Sequence, residues 1–515
     1  MAASIITEVA GEFFQQPQLI LTALLFLLMA LYLIKSQNPP TTGRLPPRPP
    51  SLPILGNLHQ LGELPHRSLR DLANKHGPVM HLMMGRIPTL VVSSPELAEE
   101  VLKTHDVVFA HRPPLVATRR FSYGGVGIAF TPYDEQWRKV RKISTSEIFS
   151  NMRVQSFRPI REEEVGILVK TIARAAALGS AVNLTETSLC YFNNVTCRQV
   201  FGRRSSAEGE CGRSKFHDQL IEALTLLGGF CAGDFFPSME WLNRFNGVQG
   251  RLDKTFFEID SFLEEEIEKH RAAGAAAAAN DFISTLLRLQ NDPSVGFPIT
   301  KGRIKAILVD AFFGGTDTSA ATVEWGMTEL MRHPAAMRKA QEEVRRAVGE
   351  KNRVEESDLH QLHYLKLVIK ETLRLHPPIP LLLPRESVEE CKIGGYHVPA
   401  RTRVIVNAWA VAVDASYWGE DAEGFRPERF EGSGVQYKGQ DFQLLPFGSG
   451  RRICPGIALG TAAVELAFAN LLRCFDWEPL EEGKKGEDMD VEESFGLVVT
   501  RKTPLLLRAK PVPAS

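Results

Sequence analysis

The chain has 515 residues, 44% hydrophobic and 23% charged, and its 60 basic and 61 acidic side chains give a formal net charge of −1. That is the composition of a folded protein with a large core, and no basic surplus directs it to nucleic acid. Seven cysteines without a CxxC pair exclude a disulfide scaffold and argue against a zinc ribbon.

In chain order, the first feature is the run from Leu19 to Ile34, apolar apart from Thr22 and Tyr32. As a helix it reaches ~24 Å. Glu8 and Glu12 precede it, and Lys35, Arg44 and Arg48 follow. This is the reverse of the charge order in a cleaved secretory peptide. It predicts a retained signal anchor over 1–36, with everything after Lys35 in the cytosol. Prolines between Asn38 and Pro53 fix φ and remove donors, so 37–55 reads as a semi-rigid linker and 56–515 as the body of the molecule. His81–Met84 and Thr89–Ser93 read as a hairpin turning over Gly85-Arg86-Ile87-Pro88, and a helix starts at Pro95. Helical periodicity dominates from about Pro132 to Leu289, with an alanine-glycine tract at Ala272–Ala279 expected to be a mobile surface connection. Long helices are expected over Thr300–Arg332 and Asp358–His376. A β-rich stretch follows at Ile393–Asn407, then an irregular one at Ala410–Gln443. The last long helix is Ile457–Cys474. The sum is a mainly α protein with small β-sheets. No GxxxxGK[ST] phosphate loop occurs, and Gly125-Val126-Gly127 lacks the third glycine of a dinucleotide fingerprint.

The most informative segment runs from Pro446 to Gly456: Pro-Phe-Gly-Ser-Gly-Arg-Arg-Ile-Cys-Pro-Gly. It is a glycine-rich loop with one cysteine, Cys454, entering an apolar helix. Its glycines allow sharp turns and the approach of a flat ligand. The helix N-terminus and loop N–H groups favour a thiolate and predict a lowered pKa. Arg451 and Arg452 add planar cationic forks. The segment fits Phe-x-x-Gly-x-Arg-x-Cys-x-Gly at every fixed position, and here the chain resembles the cytochrome P-450 family, the haem-thiolate monooxygenases. The resemblance implies that fold behind a single N-terminal transmembrane helix, 56–515 as the haem-thiolate catalytic domain, and Cys454 as axial ligand to the iron of haem b. A thiolate ligand favours O–O cleavage. Phe447 belongs to the same haem-binding loop.

Three further segments carry the resemblance. Glu371 and Arg374 share a helix face three residues apart. With Arg429 of Pro427-Glu428-Arg429-Phe430 they match family motifs that imply a buried Glu371–Arg374–Arg429 network. In Gly314-Gly315-Thr316-Asp317-Thr318-Ser319, two adjacent glycines cost a helix roughly 1 kcal/mol each. They point to a local opening, with the Thr318 hydroxyl in reach of the Gly314 carbonyl. The family pattern implies a proton relay at Asp317 and hydrogen bonding to O₂ at Thr318. Trp137 and Arg141 of the Trp-x-x-x-Arg helix, with Arg385 and Arg452, match positions that contact the haem propionates. Lys370–Arg385 and Pro446–Gly456 look like the plant microsomal branch of the family, its 71 clan. The chain departs from that pattern at Arg48, in the proline hinge, and at Val413 and Ala415.

By family analogy the substrate pocket takes Phe121, Val126, Phe313, Gly314, Ile379, Leu382 and Leu497, which suit a hydrophobic substrate bound mainly by shape. The resemblance implies an NADPH- and O₂-dependent hydroxylation of a small hydrophobic plant specialised metabolite, a terpenoid being favoured. The alternatives are an aromatic, phenylpropanoid or indolic/alkaloid substrate, or a non-redox isomerase or dehydratase built on the same haem. The implied partners are NADPH–cytochrome P-450 reductase, cytochrome b5 and membrane lipid. The implied location is the endoplasmic reticulum membrane, single-pass, with the catalytic domain cytosolic.

Overall fold

The computed structural model describes residues 21–22, 24–27, 43–204, 215–274, 280–480, 483 and 485–512. Of the predicted anchor, 21–22 and 24–27 are helical, with Leu21, Leu24, Leu25, Phe26 and Leu27 exposed. The rest of that run and residues 275–279 of the alanine-glycine tract lie outside the described residues.

The strands are short. They are β1 (Val79–Met84), β2 (Ile87–Val92), β3 (Val182–Asn183), β4 (Arg385–Glu386), β5 (Cys391–Ile393), β6 (Tyr396–Val398), β7 (Arg403–Val406), β8 (Phe475–Pro479), β9 (Glu493–Ser494), β10 (Thr500–Arg501) and β11 (Leu506–Pro511). The largest sheet has the order β1-β2-β7-β4, and β3-β11-β8 form a second. β1 and β2 make the expected hairpin, but with a two-residue turn: Met84 pairs with Ile87 and Met83 with Pro88. Pro88 can sit inside β2 because β7 pairs with β2, in parallel, only from Thr89 onward.

The principal helices are α1 (Pro65–His76), α2 (Glu135–Ile143), α3 (Arg158–Ala177), α4 (Leu184–Phe201), α5 (Val248–Ala273), α6 (Lys301–Gly315), α7 (Asp317–Arg332), α8 (Pro334–Val348), α9 (His363–Leu375) and α10 (Ile457–Cys474). Their starts follow from local chemistry. Asp134 caps α2 by accepting the Trp137 N–H at 2.6 Å, and Thr300 caps α6 by accepting that of Arg303 at 3.2 Å. The main core joins α3, α4, α7, α8, α9 and α10 through residues such as Leu168, Tyr191, Met327, Ala340, Val368 and Phe468. A second core packs α5 and α6 with Phe157, Phe201 and Phe312. α10 is the one helix among the described residues long and apolar enough to cross a membrane, and most of it is buried in the protein. Its hydrophobicity is that of a core element.

Two expected helices are divided. The stretch Thr300–Arg332 is interrupted at Thr316, between α6 and α7. The stretch Asp358–His376 becomes a tight turn over Glu356–Gln361 and then α9, with the break at Leu362.

Candidate active site

The α6–α7 interruption, the start of α10 and the 446–456 loop enclose a cavity of about 270 Å³. Cys454, Phe447, Arg141, Arg385, Arg452, Thr318, Phe313, Gly314, Ile379, Leu382 and Leu497 all line it. Sequence positions from 141 to 497 therefore converge on one chamber.

The cysteine loop is held tightly. Cys454 donates its backbone N–H to the Phe447 carbonyl at 3.0 Å. Gly450 has φ +69°, and a Cβ there would stand 2.2 Å from the Leu102 carbonyl oxygen, so no other residue fits. Asp106 accepts from the backbone and the guanidinium of Arg451, both at 2.9 Å, and faces Arg385 at 3.4 Å. Burial pushes the Cys454 thiol up, against the Gly456 N–H and the Arg141 charge, both of which favour thiolate. The expected lowering is thus reversed in the protein alone, because desolvation outweighs the loop dipoles. A cation at the sulfur would supply the missing stabilisation.

Four arginines line the cavity: Arg112, Arg141, Arg385 and Arg452. Arg452 donates to the carbonyls of Ala110, Ile128 and Thr131, Arg112 to those of Ala129, Leu383 and Pro384, and Arg141 to that of Ile453. Burial pulls Arg385 down to about 10. It pulls Arg452 to about 9, with repulsion from Arg385 and Arg141 adding to the effect. Arg112 is pulled well down by burial and by the charges of Arg452 and Arg385. A cluster of desolvated guanidiniums beside a half-buried thiol that lines the same cavity fits a flat group that carries carboxylates and a metal. The residues present therefore fit haem.

Not every expected residue reaches the wall. Trp137 gives its indole N–H to the Ile128 carbonyl at 2.9 Å, and the Arg452 guanidinium lies 4.1 Å from its ring centre. It therefore braces Arg452 and does not line the cavity. Phe121 packs edge-on behind Phe313, with ring centres 5.8 Å apart. Val126 and Asp317 are also absent from the lining, Asp317 opening α7 beside the wall residue Thr318. Thr318 donates its hydroxyl to the Gly314 carbonyl at 2.7 Å, the bond its spacing predicts.

Behind the cavity, Arg374 and Glu371 form a two-point pair at 2.7 and 2.8 Å, both fully buried. Arg429 reaches the same carboxylate at 3.1 Å, and the Arg426 backbone N–H binds it at 2.9 Å. Arg374 also ties down the carbonyls of Ala412, Ala422 and Gly424. Removing one partner of such a network costs about 3–5 kcal/mol.

The sequence reading missed Arg112, Asp106 and the hold of Asp310, which accepts the backbone N–H groups of Ile128 at 2.5 Å and Ala129 at 3.2 Å. Asp310 carried a signal, since an acid inside the apolar run of α6 needs a partner. Arg112, in His111-Arg112-Pro113-Pro114, carried none.

The cytochrome P450 family model matches residues 46–508. The chain is 51% identical to cytochrome P450 71A1 of Persea americana over 460 residues, 88% of this chain and 91% of that protein. It is 46% identical to strychnine-11-hydroxylase of Strychnos nux-vomica over 96% of this chain and 97% of the relative. It is 44% identical to premnaspirodiene oxygenase of Hyoscyamus muticus over 95% and 97%.

Proposed function

The chain belongs to the cytochrome P450 family, the haem-thiolate monooxygenases, and on that premise we propose that it hydroxylates a small, rigid, hydrophobic specialised metabolite of terpenoid size, using O₂ and electrons from NADPH. The observation that carries this reading is a single cavity that holds Cys454, four arginines, Thr318 and an apolar wall of Phe130, Phe149, Phe192, Phe282, Phe313, Ile379, Leu382 and Leu497. The similarity to premnaspirodiene oxygenase supports the terpenoid framework.

Haem bound through Cys454 supplies the centre at which O₂ is reduced and split. The protein does the rest. The loop from Phe447 to Gly456 orients the Cys454 sulfur, and Arg112, Arg141, Arg385 and Arg452 hold carboxylates in a desolvated rack. Trp137 fixes the plane of Arg452. Thr318 holds a proton at Oγ1 and, bonded to the Gly314 carbonyl, keeps the helix opening in shape. Asp317 hands protons to Thr318 from the start of α7. The aromatic wall orients the substrate and excludes water.

The segment 1–36 anchors the enzyme in the endoplasmic reticulum membrane with its catalytic domain in the cytosol, and the linker 37–55 sets its attitude. Exposed helical residues such as Leu21, Leu25 and Phe26 support the anchor. NADPH–cytochrome P450 reductase and cytochrome b5 dock on the domain.

The test is the carbon-monoxide difference spectrum of reduced membranes beside a Cys454→Ser control. The expected result is a strongly red-shifted Soret band that the control lacks. Turnover of a hydrophobic metabolite should then require NADPH. A band at the position of histidine-ligated haem, or turnover with NADPH omitted, refutes the reading.

A further inference from the structure

Three of the four cavity arginines, Arg112, Arg141 and Arg452, hydrogen-bond only to backbone carbonyls. The fourth also meets an anion. Arg385 donates through Nη2 to the Ser449 carbonyl at 3.0 Å, and its Nη1 lies 3.4 Å from Asp106 Oδ1. Among the described residues no other arginine of the cavity wall has a carboxylate partner. Asp106 opens the one-turn helix Asp106–Phe109 and is only 5% exposed. Its Oδ2 accepts the backbone N–H and the Nη1–H of Arg451, both at 2.9 Å, three residues before Cys454. The carboxylate lies flush on the loop, because a Cβ on Gly450 would stand 2.8 Å from Oδ1. One buried acid thus touches both the loop that carries the cysteine and the rack that suits carboxylates.

The contact is a matter of charge as well as shape. Burial pulls Arg385 and Arg452 down, the neighbouring guanidiniums add to it for Arg452, and the field of Asp106 acts against the fall at both. Arg451 is raised, first of all by its hydrogen bond to Asp106. Asp134 is the other carboxylate whose field supports Arg452, but it is spent on capping α2 and pairs with no cavity arginine. A neutral side chain of the same shape would accept the Arg451 N–H groups as well as Asp106 does. It would leave Arg385 and Arg451 without a counter-charge.

We propose that Asp106 is a positioning residue of the cysteine loop whose fixed negative charge, held between Arg385 and Arg451, keeps the reduction potential of the bound haem low. This rests on the haem-thiolate reading above. Reduction adds one electron to the group that the loop and the rack hold. Asp106 masks two cations beside that group. Without it their fields act unopposed in a desolvated setting, and the reduced form is favoured.

The test is a dye-mediated spectroelectrochemical titration of the purified, detergent-solubilised holoenzyme at pH 7, with dithionite as the electron donor and no substrate. Asp106→Asn keeps an oxygen for Arg451 and removes the charge. Its midpoint is expected to move positive by about fivefold to tenfold in the reduction equilibrium, or ~40–60 mV for one electron. Arg451→Gln removes a cation from the same pair and should move the midpoint negative, by about twofold or more. The opposite signs decide the matter, because a loosened loop shifts both variants alike. An unmoved or more negative midpoint in Asp106→Asn overturns the proposal, and so does an unmoved or more positive one in Arg451→Gln. If Asp106→Asn takes up no haem, the sign of the shift in Arg451→Gln decides alone. A missing thiolate–haem band in the unaltered enzyme refutes the haem-thiolate reading itself, and the proposal falls with it.

Discussion

Thr318 and Cys454 show how far a residue's role depends on its immediate neighbours. Thr318 keeps its hydroxyl on the Gly314 carbonyl and faces the cavity. Thr318→Ala removes that hydroxyl without leaving a buried partner in the core. We expect correctly folded, haem-loaded enzyme in which product formed per NADPH consumed falls roughly tenfold or more. Unchanged coupling, measured as product against NADPH oxidised, would refute a proton-holding role. Residue types at fixed spacing made both positions legible in the sequence, and the Thr318–Gly314 bond follows from a four-residue offset on a helix. The Cys454 thiol is the counter-example. Its loop dipoles were legible, but its degree of burial was not, and burial sets the direction of the shift. Trp137 and Phe121 stand behind the lining for a similar reason: a motif identifies a residue, while the neighbouring ring or carbonyl decides which way it faces.

At the scale of elements, the division of one expected helix into α6 and α7 matters most. Gly314 and Gly315 directly precede the break at Thr316 and have different surroundings. A Cβ at Gly315 would press on Thr196 Oγ1 at 3.0 Å, whereas one at Gly314 would meet nothing within 4 Å. Gly314→Ala should therefore raise thermal stability, by about 0.5–1 kcal/mol from helix propensity alone. Its methyl group would narrow the cavity and weaken the binding of a bulky ligand. A calorimetric scan with a ligand titration checks both halves, and a destabilised variant would show that the interruption needs glycine for its backbone. The existence and order of the helices and small sheets were legible from periodicity and turn residues. The break at Leu362 was not resolved by periodicity, whereas the opening at Thr316 was signalled by the two glycines before it. Pro88 shows the converse, because a residue that argues against a strand is accommodated where the neighbouring strand has yet to begin.

At the scale of the whole molecule, a buried ion cluster joins the two ends of the domain. Glu493 of β9 pairs with Arg67 at 2.6 Å and His66 at 3.2 Å, both in α1. Burial alone would raise the Glu493 carboxyl, but hydrogen bonds from His66 and Arg67 outweigh it and hold the group at about 2. A folded-state pKa depressed below the ordinary 4.5 stabilises the fold above that pH, and the contribution is lost as pH falls toward 2. The stability gap between the unaltered protein and Glu493→Gln should be constant above about pH 4.5 and shrink below it. Denaturant melts across that range check this, and a gap independent of pH would exclude the cluster as its source. The outer surface bears on partners. Arg138 and Lys142 are exposed on α2, while Lys139 is paired with Glu135 at 2.8 Å. Reversing Arg138 and Lys142 to glutamate should raise, several-fold at low salt, the reductase concentration needed for half-maximal turnover. An unchanged requirement would place the docking face elsewhere. None of this long-range pairing was visible in the sequence, because no local pattern links position 67 to position 493.

The parallel ladder between β2 and β7 also bears on how the protein is made. Thr89 waits for Arg403 and Val92 for Val406, so most of the chain must leave the ribosome before the far edge of β2 has a partner. Until then the nascent hairpin presents an unpaired edge that includes Leu90, Val91 and Val92, all buried in the finished molecule. Such an edge can recruit other chains, and long-range strand pairing is slow. Shielding that edge during synthesis, by chaperones or by slower translation in the cold, is accordingly expected to raise the yield of folded enzyme.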